Sequence, residues 1–222
     1  MKKDLFIFYF IFLLVFMIAC APIQKESAPI SKPESKADVK LPQDTKIEQK
    51  QEVSAEVKEL LDKSKIRVRS IYYKYKGPET GNDFYEFYTK DAKIKYLPAL
   101  EIKSLDAVDS YDTIFIDKTA KAAASYCVAY YCKYKGKKQD LNYDDVYIST
   151  MLDWVSGLTS AKKVGEEVID DRNTWKIETN KGILWVDTFY GIPLKVESSG
   201  KAYRFQHISV NSVQDSDVVP SQ

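Results

Sequence analysis

The sequence is poor in the residues that carry out most enzyme chemistry. It has one histidine, His207, and three cysteines among its 222 residues. It contains no G-x-S-x-G nucleophile motif, no glycine-rich phosphate-binding loop and no H-E-x-x-H zinc motif. His207 falls in a predicted strand without a nucleophile beside it, which favours a structural role. The acidic pairs at 144–145 and 170–171 fall at a helix start and in a turn, where neighbouring carboxylates point apart. We therefore predict that the protein is not an enzyme and has no catalytic residue, no metal site and no cofactor.

An excess of charge of either sign is also missing. The chain carries 33 basic and 32 acidic residues, for a formal net charge of +1. Because the lysines are spread along the chain and interleaved with acids, we predict no nucleic-acid partner. One short basic stretch, KYKGKKQD at 133–140, allows two interpretations. It either meets anionic headgroups at the mouth of a cavity or is a plain solvated loop.

The N-terminal apolar run is too short for a typical transmembrane helix, which needs about 20 residues. The run at 5–19 has 15 residues and follows two lysines, as in an export signal. It leads into FMIAC, which resembles the lipobox of bacterial-type lipoproteins: Ala19 is small and precedes Cys20, although Met17 stands where leucine is usual. The resemblance implies a lipoprotein signal peptide at 1–20 and a lipid attached to Cys20. An uncleaved signal anchor with an incidental cysteine is the alternative.

The segment at 21–52 has the composition of a tether. It has no aromatic residue and is rich in Lys, Glu, Ser and Pro, so it cannot bury enough apolar surface to offset chain entropy. As a flexible coil its ends would lie about 30 Å apart. We expect this tether to be disordered, and we expect a second disordered segment, the tail at 211–222. The exported protein would then be anchored on the outer side of the cytoplasmic membrane, or in the periplasm or outer membrane.

The two remaining cysteines, Cys127 and Cys132, predict a disulfide. An exported chain meets an oxidising compartment, and four intervening residues can close a small loop. A zinc site is a poor alternative because it would need two more ligands, and the chain has a single histidine. A redox role is also weak because the spacing is not C-x-x-C.

Hydrophobic periodicity indicates an α+β domain at 53–210. Apolar residues repeat with helical spacing at 53–64 and again at 141–158. Alternating segments bounded by turn residues predict strands in the rest of the domain. The early strands are predicted at 66–75 with a bulge near Ser70, at FYEFYTKD, at AKIKYLPA, at 113–117 and, in preference to a helix, at 122–126. The late strands form a predicted β-meander at 163–169, 174–179, 183–188, 192–198 and 202–208.

The late strands predict a sheet with one apolar face. Trp175 and Ile177 alternate with Lys176 and Glu178, and the strands that follow repeat this pattern. We therefore expect a curved antiparallel sheet, a half-barrel, covered on its concave face by amphipathic helices. Two helices of about 12 residues are short for a sheet of seven or more strands. An apolar hollow left between helices and sheet would be a ligand site of the usual kind.

The stretch LWVDTFYGIPLKVE is similar to the late hairpin of lipoprotein-carrier (LolA-like) domains. The similarity lies in an aromatic-rich strand with Asp187 before a turn, then Gly191, Pro193 and alternating apolar residues. The motif covers about 15 residues, and the helix-then-meander order covers about 150. The resemblance implies a half-barrel with an apolar cavity for acyl chains. The chain departs from the family in two ways, because the carrier is not lipidated and the arginine usual in its cavity has no match here.

The resemblance also implies a set of cavity-lining residues on the late strands. They are Trp175, Ile177, Leu184, Val186, Ile192, Leu194, Val196, Tyr203 and Phe205. For each of them ordinary core packing remains the alternative, and Trp185 could lie on either side of the sheet.

Two main functions follow from this interpretation. The first is a membrane-anchored lipoprotein that binds a lipid or another apolar molecule in the half-barrel cavity. The alternative is a scaffold or sensor lipoprotein of the cell envelope that uses the same sheet to contact envelope proteins and has no ligand. A hydrolase with an unrecognised site is the weakest reading, because no catalytic motif supports it.

Overall fold

A computed structural model of the chain describes residues 52–99, 110–130 and 132–220. The predicted signal peptide with Cys20, the tether up to residue 51 and the last two residues of the tail lie outside the described residues. The described strands and core all belong to the compact unit Glu48–Gln222.

The alternating segments form one curved, open antiparallel sheet of eleven strands. The early strands are β1 (Ser70–Lys76), β2 (Tyr85–Lys90), β3 (Lys93–Leu97), β4 (Thr113–Asp117), β5 (Ala122–Tyr126) and β6 (Gln139–Leu141). The late strands are β7 (Ala161–Ile169), β8 (Arg172–Thr179), β9 (Gly182–Asp187), β10 (Pro193–Ser198) and β11 (Lys201–Val210). The predicted α+β class and the late β-meander are confirmed.

The strand order is β6-β5-β4-β3-β2-β1-β11-β10-β9-β8-β7. Strands that are consecutive in sequence are neighbours in the sheet, with one exception: β6 and β7 form its two edges. In the middle of the sheet, β1 pairs with β11. The inward residues of adjacent strands belong to one hydrophobic core.

Three α-helices occur among the described residues: α1 (Ala55–Arg67), α2 (Tyr143–Val146) and α3 (Met151–Val155). In α1 the buried side chains repeat at helical spacing, and they include Val57, Leu60 and Leu61. The helix continues past the predicted end at residue 64, so Ile66 is a helical residue with an exposed side chain rather than part of a strand. None of the described helices has the length and hydrophobicity that crossing a bilayer requires.

The predicted single helix at 141–158 is wrong in detail. The chain there forms the end of β6, then α2 and α3 separated by residues 147–150. The break has a local cause, since a capping box starts a new helix at Thr150. The Asp153 carboxylate accepts hydrogen bonds from the Thr150 backbone N–H at 2.7 Å and from its hydroxyl at 2.6 Å.

The first part of the predicted disordered tail packs against the sheet. Val213 and Val218 are buried, and Asp215 pairs with Lys90 at 2.9 Å. The Asn211 side chain accepts from the Arg69 backbone N–H at 2.8 Å, which ties the end of β11 to the start of β1. Two valines and a few polar contacts therefore hold residues 211–220 in place. Two widely spaced apolar residues form no periodic pattern, so the sequence did not predict an ordered segment here.

Helix α1 lies close against the turn between β9 and β10. Gly191 has φ +70°, and a Cβ atom there would stand 2.3 Å from the Leu60 carbonyl oxygen. Glycine is required both for the left-handed backbone and for this close approach. The turn therefore fixes where α1 crosses the sheet.

Candidate functional site

Most of the predicted cavity residues lie in a packed core. The side chains of Leu184, Val186, Ile192, Val196 and Phe205 are 0% exposed, that of Ile177 is 1% exposed and that of Leu194 is 2% exposed. Only Trp175 and Tyr203 keep partial exposure. A side chain without accessible surface borders no space that admits a water molecule. Along these residues the predicted hollow is filled.

The filling comes from the two longest described helices. Val57 and Leu60 of α1 and Met151 of α3 are 0 to 2% exposed and belong to the same hydrophobic core as the sheet residues. The Met151 backbone N–H also donates to the Tyr73 hydroxyl at 3.4 Å, which joins α3 to β1. The helices therefore occupy the concave face in the place where a ligand was expected.

The sequence predicted that Leu194 shares a face with Ile192 and Val196. This prediction is wrong. The register of β9 and β10 shifts between Pro193 and Lys195, so Leu194 lies at an irregularity in the strand. It borders a groove with Lys195 and Arg204 and is absent from the main core.

Trp185, which the sequence left unassigned, lies on the face of the sheet opposite the main core, with Lys176 and Lys195. Its indole is 3% exposed and its Nε1–H donates to the Glu167 carboxylate at 2.6 Å. The ammonium of Lys195 stands 4.0 Å from the ring centroid, and that of Lys176 stands 5.0 Å away. Cation–π contacts and the hydrogen bond together satisfy this large side chain outside the core.

The early strands contribute a row of stacked aromatic rings that the sequence-based cavity did not include. Tyr73 stacks on Phe87 at 5.2 Å, and Phe87 stacks on Tyr96 at 5.0 Å between ring centroids. Phe205 of β11 meets Tyr73 edge-on at 5.5 Å. The alternating tyrosines of IYYKYKG and FYEFY were the signal in the sequence that could have placed these rings on the core face.

At one end of the concave face the aromatic side chains end in a polar group around Glu79. The Tyr75 hydroxyl donates to the Glu79 carboxylate at 2.6 Å, and the Tyr85 hydroxyl donates to the Glu79 backbone carbonyl at 3.1 Å. Burial and the nearby Glu79 carboxylate raise the pKa of Tyr203. We call Tyr75, Tyr85, Tyr203 and Trp154 the tyrosine cluster.

Trp154 is the one member of the tyrosine cluster with a buried, unsatisfied polar atom. Its ring lies 4.8 Å from the Tyr203 ring, and both side chains are partly exposed. The buried Trp154 Nε1–H has no hydrogen-bond partner among the described residues. Such an atom is costly to bury and calls for an acceptor. The tyrosine cluster could therefore hold the polar end of a small ligand.

Asp153 fixes α3 over the concave face. Besides Thr150, its carboxylate accepts hydrogen bonds at 2.6 Å from the Lys118 ammonium and from the Tyr147 hydroxyl. Burial alone would raise the pKa of Asp153, but the hydrogen bonds from Lys118, Thr150 and Tyr147 outweigh it, so the pKa lies below its ordinary value. Burial, together with the hydrogen bond to the same carboxylate, raises the pKa of Tyr147. These hydrogen bonds give Asp153 a structural role, and no free nucleophile is among its partners.

The predicted disulfide joins Cys127 and Cys132, with the two Cα atoms 5.8 Å apart. The Asp112 carboxylate supports the loop by accepting from the backbone N–H groups of Val128 at 3.0 Å and Ala129 at 2.7 Å. Asp112 and both sulfurs lie within 4.8 Å of one another, as metal ligands can. Because the sulfurs are bonded to each other, neither is available as a thiolate ligand.

His207 lies at an irregular position of β11 and is exposed. Its φ is +52°, and the β1–β11 register shifts nearby. Asp170 and Asp171 form the turn between β7 and β8, also with positive φ, and the acidic pair at 144–145 lies in the first turn of α2. These groups occupy separate places in the fold, and the absence of enzyme activity stays a prediction.

Strand β7 is an edge of the sheet in the part of the chain that the structure describes. Val164 is 49% exposed and Val168 is 64% exposed on this nine-residue strand. An edge strand presents backbone N–H and C=O groups that another strand can pair with. The edge also carries four charged residues and an irregularity between Lys163 and Gly165, which restrict the strands that fit.

Comparisons with known proteins give weak structural likeness alone. No family model matches the chain, and no curated protein matches it. Among solved structures, a DUF1329 family protein from Desulfovibrio piger ATCC 29098 aligns with 10% identity over 73% of this chain and 99% of its own, with a TM-score of 0.26. A TM-score this low supports no argument about fold or function.

Proposed function

We propose that this protein is a lipid-anchored lipoprotein of the cell envelope whose folded domain acts as a scaffold or sensor by contacting other envelope proteins. The observation that carries the proposal is the filled concave face. Helix α1 and helix α3 occupy the place where an acyl chain would lie, and the core residues there have almost no accessible surface. Surface contact is then the simplest use of the domain.

The anchor rests on the N-terminal sequence. A basic start, an apolar run of 15 residues and Cys20 after Ala19 fit the signal of an exported lipoprotein, and the tether at 21–52 would let the domain reach beyond the bilayer. Mass spectrometry of the protein purified from membranes tests this part. We expect an N-terminal Cys20 bearing lipid, and we expect Cys20→Ser to abolish the modification. An unmodified Cys20 in a chain that keeps residues 1–19 would contradict it and favour the uncleaved signal anchor.

The β7 edge is the surface best suited to protein contact. Val53 already bridges the first residue of β7, Ala161. Pairing with an added strand would satisfy the outward backbone groups beyond it, and the exposed Val164 and Val168 offer apolar side-chain contacts. The expected partner is therefore an extended segment of another envelope protein, which would lengthen the sheet by one strand.

Site-specific photo-crosslinking in cells tests the contact surface. A photoreactive residue at Val168 should give discrete crosslinked species, because that side chain would lie against the added strand. The same residue at the exposed Lys121, in the turn between β4 and β5, is the control. Equal crosslinking at both positions, or none at Val168, would argue against β7 as the contact edge.

The tyrosine cluster supports a second candidate, the binding of an apolar molecule with a hydrogen-bond acceptor at one end. The buried Trp154 Nε1–H without a partner favours it. In this case organic extraction of the purified protein should release one such molecule, and Trp154→Phe should reduce the amount because the donor is lost. Extracts that contain no molecule in stoichiometric amount would contradict ligand binding, and protein contact would remain as the proposed function.

A further inference from the structure

The loop between β5 and β6 concentrates positive charge. Residues 127–138 include Lys133, Lys135, Lys137 and Lys138 and no acidic residue. The contacts described for these lysines are local ones: Lys138 pairs with Asp140 at 2.6 Å, and the Lys133 ammonium lies 5.7 Å from the Tyr134 ring. In a chain whose net charge is +1, this is a localised cationic surface. We call the described part of this loop, residues 127–130 and 132–138, the basic loop.

The basic loop also exposes apolar and aromatic side chains. Tyr130 is 90% exposed, Val128 is 39% exposed and Tyr134 is 37% exposed. Tyrosine combines an apolar ring with a polar hydroxyl and is favoured at the boundary between membrane and water. The combination of lysines with tyrosines suits a surface that is both anionic and partly apolar.

The conformation of the loop is held before any partner arrives. The disulfide joins Cys127 to Cys132 in the first half of the loop. The Gly136 backbone N–H donates to the Cys127 carbonyl at 2.8 Å, which holds the second half back against the first. Asp112 holds the backbone between the two cysteines through hydrogen bonds from Val128 and Ala129. A loop fixed in this way loses little conformational entropy when it binds.

The basic loop lies at the end of the sheet near which the described residues start. The loop follows Tyr126, which pairs with Thr113 at the start of β4. Tracing the antiparallel strands across the sheet from there leads to the start of β7, where Val53 pairs with Ala161. Val53, near the start of the described residues, therefore lies at the same strand ends as the basic loop.

We propose that the basic loop binds the anionic phospholipid headgroups of a membrane surface. The lysines supply the electrostatic attraction, and Tyr130 and Tyr134 reach the headgroup region. The choice of a bilayer as the source of anionic groups rests on the proposed anchoring. Each lysine near such a surface strengthens binding by roughly fivefold.

Vesicle co-sedimentation of the chain 21–222 tests the proposal without the anchor. This chain lacks Cys20 and contains the entire compact unit, so its binding is independent of lipidation. We expect binding to vesicles with about 30% phosphatidylglycerol in phosphatidylcholine and much weaker binding to phosphatidylcholine alone. Raising the salt from about 0.1 M to about 0.5 M should release the protein, because the attraction is screened.

A matched pair of variants locates the surface. Lys133→Glu/Lys135→Glu/Lys137→Glu should weaken binding to the anionic vesicles by about a hundredfold or more. Lys58→Glu/Lys93→Glu/Lys121→Glu makes the same change in net charge at exposed positions outside the loop and should change binding less than about threefold. Circular dichroism should show both variants folded. Equal losses in the two variants, or no binding by the parent chain, would overturn the proposal, whereas a failed Cys20 modification would overturn only the anchor.

Discussion

A substitution at Phe205 tests whether the concave face is a packed core or the wall of a ligand cavity. Its ring is 0% exposed and contacts the rings of Tyr73 and Tyr75. We expect Phe205→Ala to lower the free energy of unfolding by about 3–5 kcal/mol, because it removes buried surface and leaves a cavity. Phe189→Ala is the control: this ring is 60% exposed, and its loss should cost under about 1 kcal/mol. Urea unfolding measures both, and a small loss for Phe205→Ala would mean that the concave face is not packed around it.

Asp153 makes a pH-dependent contribution to stability. Asp153→Asn should cost about 2 kcal/mol at neutral pH, because charged hydrogen bonds from Lys118 and Tyr147 are weakened. Since the pKa of Asp153 is lowered in the folded state, the carboxylate stabilises the protein above the unfolded-state pKa of about 4, and this contribution disappears as the pH falls through the folded-state pKa. The difference between parent and variant should therefore shrink in acid.

The control for Asp153 is Asp145→Asn, because Asp145 is an exposed carboxylate in α2. This variant should unfold like the parent at neutral pH. Thermal unfolding at several pH values gives the comparison. A difference for Asp153→Asn that grows below pH 4, or equal losses in the two variants, would contradict the assigned role.

Two glycines test how helix α1 is seated on the sheet. Gly191 and Gly200 have φ of +70° and +75°, but only Gly191 has backbone within reach of a Cβ atom, the Leu60 carbonyl oxygen at 2.3 Å. Gly200→Ala should cost about 1 kcal/mol from backbone strain alone. Gly191→Ala should cost clearly more, above about 2 kcal/mol, because α1 or the turn must move. Similar losses in equilibrium unfolding would show that α1 does not lie against this turn.

Strand-forming segments could be predicted from sequence where alternation and turn residues agree. The late meander satisfies both conditions, so its five strands were found with ends a few residues off. The segment at 141–158 was misjudged because its apolar spacing fits one helix, whereas the Thr150 capping box starts a second one. Ile66 was misjudged because an exposed apolar residue next to a strand imitates strand alternation.

Whether the concave face is packed or hollow could not be predicted from sequence. The pattern identified which residues of the late strands turn inward, and all of them except Leu194 do so. Whether the face holds a hollow depends on sheet curvature, helix position and side-chain volume, none of which a periodic pattern contains. Short helices suffice here because the inward rings of Tyr73, Phe87 and Phe205 are large and stack on one another.

At the scale of the whole described domain, the protein is a curved sheet whose concave face is filled by its own side chains. Native mass spectrometry of the protein purified from its own membranes, followed by organic extraction, measures any apolar molecule that the domain retains. We expect the mass of the chain with the lipid on Cys20 and no further molecule bound in stoichiometric amount. About one acyl-chain lipid per protein, released only on unfolding, would show that the sheet encloses a ligand and that the packed core described above is not the state in the cell.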